Sequence, residues 1–302
     1  VARDGVRLLV TDTASGVNRD ACFGELPSFL RRGDLLVVND SATIPAALTA
    51  RRADGSSFPL HLSTRIADDL WIAEPRAPVE RGERASLANG GAVTFLGPVD
   101  ERARLWYAAL AVPMTLAAFL ARHGAPIRYR YVTEAFPLAD YQTLFARVAG
   151  SAEMPSAGRP FTQRVLDHLR AAGVRVASIT LHTGVSSAER HERPHRGWYD
   201  VPARTAAGVN ATRRRGGRVV AVGTTVVRAL ESAASGCEAS ASNGWTDLVV
   251  TPESGVAVAD GLLTGFHEPE ASHLDMLRAY EHAIRQGYLW HEFGDVHLLL
   301  SP

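Results

Sequence analysis

Arg218-Val219-Val220-Ala221-Val222-Gly223-Thr224-Thr225-Val226-Val227-Arg228-Ala229-Leu230-Glu231-Ser232-Ala233-Ala234 is the stretch that decides the fold. Its first five residues, Arg218 followed by a short apolar run rich in β-branched side chains, read as a strand buried on both faces. Gly223 permits a tight turn, and residues 225–234 read as a helix. A strand feeding directly into a helix is half of a βαβ unit.

Working outward, the same alternation recurs on both sides. Upstream, residues 203–215 form a helix that leads through Gly216 and Gly217 into the strand. Before it, Thr162 caps a helix whose Val165, Leu166 and Leu169 share one face, Phe161 and Leu166 can staple its start, and Gly173 suits its C-terminal cap. Residues 174–181 then form a buried strand. Downstream, residues 256–258 and 262–266 suggest strands, followed by a helix from Pro269 and a closing strand at 296–300. The expected class is α/β, a large domain with a mostly parallel sheet. Residues 46–110 have another texture: short pieces at 58–62, 70–73 and 92–96, separated by Gly, Pro and Asp, point to a small inserted all-β, barrel-like domain. The division is therefore 1–45 with 111–302 for the α/β domain and 46–110 for the insert. Within 105–121, an apolar run interrupted by Pro113, a strand ends near Val112 and a helix runs from Met114 to a cap at Gly124; no membrane span is expected.

The chain has 302 residues, 46% hydrophobic and 21% charged, which places it among folded globular proteins. Its 32 basic residues balance 32 acidic ones, so it is not a globally basic nucleic-acid coat. All the basic residues are Arg, which excludes a lysine Schiff base or a P-loop lysine. Cys22 and Cys237 are too few and too far apart for a zinc or redox motif. The sequence starts at Val1 without a leader, so an unseen N-terminus and a cytoplasmic location are expected.

In parallel α/β sheets ligands bind beyond the C-terminal ends of strands. Three such ends carry polar groups: His182-Thr183-Gly184, Gly223-Thr224-Thr225 and His267-Glu268. At the second, two hydroxyls and the first amides of a helix suit an anion or a ribose. Arg228 and Glu231 follow one turn on, where they either reach the same ligand or form an exposed i,i+3 ion pair. His191 and His195 have the spacing of a helical metal pair, but Pro194 lies between them, and no metal is expected. Neither a dinucleotide glycine motif nor a nucleophile elbow is present. Arg128-Tyr129-Arg130-Tyr131, the arginines at 190, 193 and 196, and Arg213 to Arg215 permit RNA binding without requiring it.

Four blocks resemble the S-adenosylmethionine:tRNA ribosyltransferase-isomerase family of queuosine biosynthesis. They are residues 33–40 with Ile44-Pro45-Ala46, Tyr141-Gln142-Thr143, residues 220–232, and Phe266-His267 with Pro269. The resemblance implies an α/β domain interrupted by a β-barrel and no metal. It also implies that S-adenosylmethionine is consumed as ribosyl donor to a 7-aminomethyl-7-deazaguanine base in the tRNA anticodon loop. The product is epoxyqueuosine, with adenine and methionine released. On this likeness His182 and His267 are the proton-transfer groups, and Asn39, Ser156, Thr224, Thr225, Arg228 and Glu231 bind substrate. Departures from the family pattern fall at Ala42, Glu153, Arg159, Gly197 and Glu268. They leave open a related enzyme with a small acceptor and a non-catalytic nucleotide-binding module.

Overall fold

Nine strands make one mixed sheet in the order Ser242–Thr246, Gly197–Val201, Arg175–Leu181, Leu35–Asn39, Val219–Val222, Gly261–Gly265, Val296–Leu300, Arg7–Asp12 and Asn18–Cys22. The computed structural model describes residues 2–128, 134–185, 195–251, 254–266, 274–290 and 293–300. Four adjacent strands, from Arg175–Leu181 to Gly261–Gly265, run parallel, with Ala177 and Ala221 both opposite Val37 and Ala221 also opposite Leu262. Val296–Leu300 pairs in parallel with Arg7–Asp12, and the other junctions are antiparallel. The α/β class holds. The sheet is less parallel than the alternation suggested, because antiparallel pairs form at both edges, 242–246 with 197–201, 197–201 with 175–181 and 7–12 with 18–22, and inside it between 261–265 and 296–300.

The continuous apolar runs of the two central strands follow from burial on both sides. Leu36, Val38, Val220 and Val222 pack with Phe161, Val165 and Leu169 on one face. Leu35, Val37, Val219 and Ala221 pack with Val209, Val226 and Leu230 on the other. At the start of these strands the fully buried Asp34 accepts the Arg218 amide at 3.0 Å and its Nη2 at 2.7 Å, as well as the Arg31 amide at 3.0 Å. Thr162 caps the helix Gln163–Ala171 through the Val165 amide, as its sequence implied.

Residues 47–111 contribute a closed antiparallel barrel, in the order Trp106–Ala111, Leu70–Pro75, Ser57–Arg65, Ala47–Arg51, Arg84–Ser86 and Ala92–Pro98. Its filling is aromatic and aliphatic: Phe58, Leu60, Leu62, Trp71, Phe95 and Trp106, joined from outside the barrel strands by Phe119, Leu120 and Val185. The run at 105–121 divides into a barrel strand and a helix, which begins at Leu116 behind its Thr115 cap rather than at Met114 and ends at His123. No helix of the described residues is long and apolar enough to cross a membrane. Gly124 has an ordinary φ of −90°. Its need for glycine is steric, since a Cβ there would lie 2.1 Å from the Pro45 carbonyl oxygen.

One further expectation changes. Residues 256–258 are not a strand. The expected start of the last helix at Pro269 lies outside the described residues, and the helix is described over Leu274–Arg285.

Candidate active site

The four parallel strands deliver their C-terminal ends side by side. Asn39 is the knot among them. Its side-chain oxygen accepts the amides of Leu181 and Ser41 at 3.0 and 3.1 Å, and its Nδ2 donates to the Leu181 carbonyl at 2.8 Å and to Thr225 Oγ1 at 3.3 Å. One buried amide thus ties the ends of two strands to the start of the helix that follows Gly223. Gly223 has φ +99°, a conformation that only glycine takes without strain, and the helix Thr224–Ser232 begins at once after it. Thr224 is exposed and Thr225 half-buried, with the helix's first amides lacking intrahelical acceptors beside them. The turn Ser156–Gly158 lies across this end. A Cβ on Gly223 would lie 3.5 Å from that of Ala157, and one on Gly265 would lie 3.8 Å from Ser156 Oγ. The structure thus brings Asn39, Ser156, Thr224 and Thr225 to one place.

His182 stands beside them in a tight cradle. One ring face stacks on Trp198, with centroids 5.4 Å apart and planes at 23°. The ring also lies close to the backbone of Gly150, where a Cβ would come within 2.5 Å of Cε1. Nδ1 lies 2.8 Å from Ser41 Oγ, which lies 2.6 Å from Ser151 Oγ, and Ser151 Oγ accepts the Thr183 amide at 3.0 Å. Burial pushes the imidazole below its ordinary pKa, with Asp40 opposing that shift. Beyond it, Val185 enters the barrel core and its amide donates to Ser63 Oγ at 2.9 Å.

Arg228 and Glu231 are held elsewhere. The Arg228 guanidinium donates to the carbonyls of His195 and Thr246 at 2.9 and 2.8 Å. Burial draws its pKa down, with Asp247 opposing. Glu231 accepts the amides of Ala257 and Val258, both at 2.9 Å. Neither the shared-ligand reading nor the i,i+3 ion pair describes these contacts: both side chains hold backbone around the helix. Arg213 donates to the carbonyls of Cys237 and Ala257, and Arg214 pairs with Glu238, so these two arginines brace the opposite end of the strand. His267, Glu268 and His191 lie outside the described residues, as do Tyr129 to Tyr131. Among the described residues no group of three His, Cys, Asp or Glu side chains could hold a metal ion.

The reading from sequence missed Ser41, Gly150, Ser151 and the stacking role of Trp198. The four come from three separate segments, and only Ser41 carried a signal, two residues after Asn39.

Residues 1–299 match the family model described as queuosine biosynthesis protein. The chain is 36% identical to the S-adenosylmethionine:tRNA ribosyltransferase-isomerase of Symbiobacterium thermophilum, covering 99% of this chain and 94% of that one. It is 38% identical to the protein of the same name from Acidithiobacillus ferrooxidans, covering 99% and 92%. The crystal structure of S-adenosylmethionine tRNA ribosyltransferase from Thermotoga maritima superposes with a TM-score of 0.53 at 29% identity, covering 99% of this chain and 93% of that one. With residues 1–299 matched by the family model, relatives 36–38% identical over 99% of its length, and its barrel and sheet in place, the chain belongs to the queuosine biosynthesis protein family.

Proposed function

We propose that this protein is an S-adenosylmethionine:tRNA ribosyltransferase-isomerase, and that S-adenosylmethionine binds at the ends of the parallel strands. The observation that supports this reading best is the convergence of Asn39, Ser156, Thr224, Thr225 and His182 around Gly223, inside the sequence block most like the family's. Hydroxyls and helix amides there suit ribose oxygens. Asn39 holds Thr225 in position, and the Ser156 turn covers the Gly223 and Gly265 backbones. His182 presents its imidazole beside the hydroxyls. His267 follows the strand Gly261–Gly265 in the sequence and completes the proposed set of reacting groups. Arg228 and Glu231 contribute by fixing the helix Thr224–Ser232 rather than by touching the donor.

The finer reaction we propose moves the ribosyl group onto the aminomethyl nitrogen of 7-aminomethyl-7-deazaguanine in the tRNA anticodon loop. The group rearranges to the epoxide of epoxyqueuosine, while adenine and methionine depart. The decisive experiment incubates the protein with S-adenosylmethionine and tRNA bearing that base. Adenine and methionine are expected together, with a mass gain on the tRNA, and neither substrate alone suffices. A specific feature favours testing a second acceptor: the Glu153 carbonyl accepts from Thr183 next to His182, which places an acidic residue where the family pattern has none. A carboxylate facing a phosphate path is unfavourable. Adenine release that ignores tRNA and responds to a small amine would move the assignment to a small-molecule acceptor.

A further inference from the structure

The hydroxyl pair beside His182 decides which of its ring nitrogens carries the proton. Ser41 and Ser151 are both completely enclosed, so each hydroxyl proton needs an acceptor within the cluster. Among the described residues the Ser151 proton has one acceptor in reach, Ser41 Oγ at 2.6 Å. The Ser41 proton then goes to His182 Nδ1 at 2.8 Å or to the Val148 carbonyl at 3.5 Å, and the second distance is at the outer limit of a hydrogen bond. The assignment that satisfies every group runs from the Thr183 amide to Ser151, and from the Ser151 hydroxyl through the Ser41 hydroxyl to Nδ1. A nitrogen that accepts a hydrogen bond carries no proton, so the neutral ring keeps its proton on Nε2. Nε2 bonds to none of the described residues. Trp198 stacks on the ring and the Gly150 backbone lies close against it.

The geometry points to His182 as a neutral Nε2–H hydrogen-bond donor to the bound ribosyl donor, held in that tautomer by the Ser151–Ser41 relay, and not as a proton-transferring acid or base. The inference rests on the proposed placement of S-adenosylmethionine at the strand ends. Nε2 is already protonated and cannot serve as a base, and a neutral imidazole that released its single proton would become an imidazolate, a poor state in a half-buried site. A fixed donor can still stabilise negative charge that grows on the substrate, without reorganising as it does so. The burial that lowers the ring's pKa keeps it in the neutral form this role needs. Ser41, Ser151 and Gly150 are positioning residues in this scheme.

Two measurements test it. The first needs no substrate: NMR of the full chain with isotope-labelled histidine ring nitrogens, with the His182 signals identified by their loss in His182→Gln. The expected pattern is protonated Nε2 with unprotonated Nδ1 at neutral pH, changed to a mixture of tautomers in Ser41→Ala and restored in Ser41→Thr. A protonated Nδ1, or an imidazolium, in the unaltered protein overturns the proposal. The second compares adenine release. Gln can donate an N–H but cannot titrate, so His182→Gln is expected to stay within about tenfold of the unaltered rate, whereas His182→Ala falls by about 10² or more. Equal loss in both variants overturns the proposal. Absence of adenine release from the unaltered protein, combined with the expected NMR pattern, counts against the proposed reaction and leaves the tautomer assignment standing.

Discussion

Gly150 shows how little room a single residue leaves at this site. A methyl carbon there would lie 2.5 to 2.6 Å from three atoms of the His182 ring, which is also stacked on Trp198. Gly150→Ala is expected to slow adenine release by about tenfold or more while the far-ultraviolet circular dichroism stays unchanged, since overpacking of this kind displaces the ring rather than the sheet. A different histidine governs response to acid. His297 is fully buried, stacked on Phe266 at 5.6 Å and bonded through Nε2 to Thr11 Oγ1 at 2.7 Å, and burial lowers its pKa to about 4. The unfolded chain takes up this proton near the ordinary value of 6.5. Between these values the unfolded state therefore binds more protons, and stability falls as pH falls, by on the order of 3 kcal/mol across the window. Burial would raise the Asp34 carboxyl, but Arg218 and two backbone amides outweigh it and hold the carboxyl below its usual range, so its contribution is lost at still lower pH. Urea midpoints measured between pH 7 and 4.5 should fall steadily, and His297→Leu should flatten that slope.

Strand ends and helix starts are the elements on which the proposed binding depends, and two substitutions separate holding the site from touching its ligand. Asn39→Ala strips partners from the Leu181 amide and carbonyl and from the Ser41 amide, so a loss of about 2 to 3 kcal/mol in stability is expected alongside weaker S-adenosylmethionine binding. Thr224 is exposed, and Thr224→Ala is expected to spare the unfolding midpoint while costing about 0.5 to 1.5 kcal/mol of affinity by calorimetry. The central strands and the helix after Gly223 were legible in the sequence because burial on two faces leaves unbroken apolar runs, and a left-handed turn leaves a glycine. The Arg228 and Glu231 contacts were not, because one helical turn shows which residues are neighbours and not what lies opposite them. Residues 256–258 looked like a strand for a related reason: their alternating small apolar residues fit one, but the Glu231 carboxylate takes up two of the amides a sheet neighbour would need. The cradle around His182 had no local signature, since residues 41, 150, 151 and 198 meet only when the sheet has formed.

At the scale of the whole molecule, the fold resolves into a sheet with its helices and a closed barrel that share side chains. We propose residues 46–110 as the inserted domain, with a core completed by Phe119, Leu120 and Val185 from the surrounding chain. Val185 is the informative one, since it is three residues from His182 and its amide is bonded to Ser63, where the barrel strand shifts register. Val185→Ala is expected to cost about 2 kcal/mol of stability and to slow adenine release as well, whereas Phe58→Leu, deep in the barrel and remote from that loop, should lower the unfolding midpoint alone. Residues 183–185 are in effect a short tether between the barrel core and the closely packed His182 ring. A shift of the barrel strand at Ser63 is therefore expected to be felt at the imidazole, and adenine release measured in variants beside that strand would gauge how the barrel is seated.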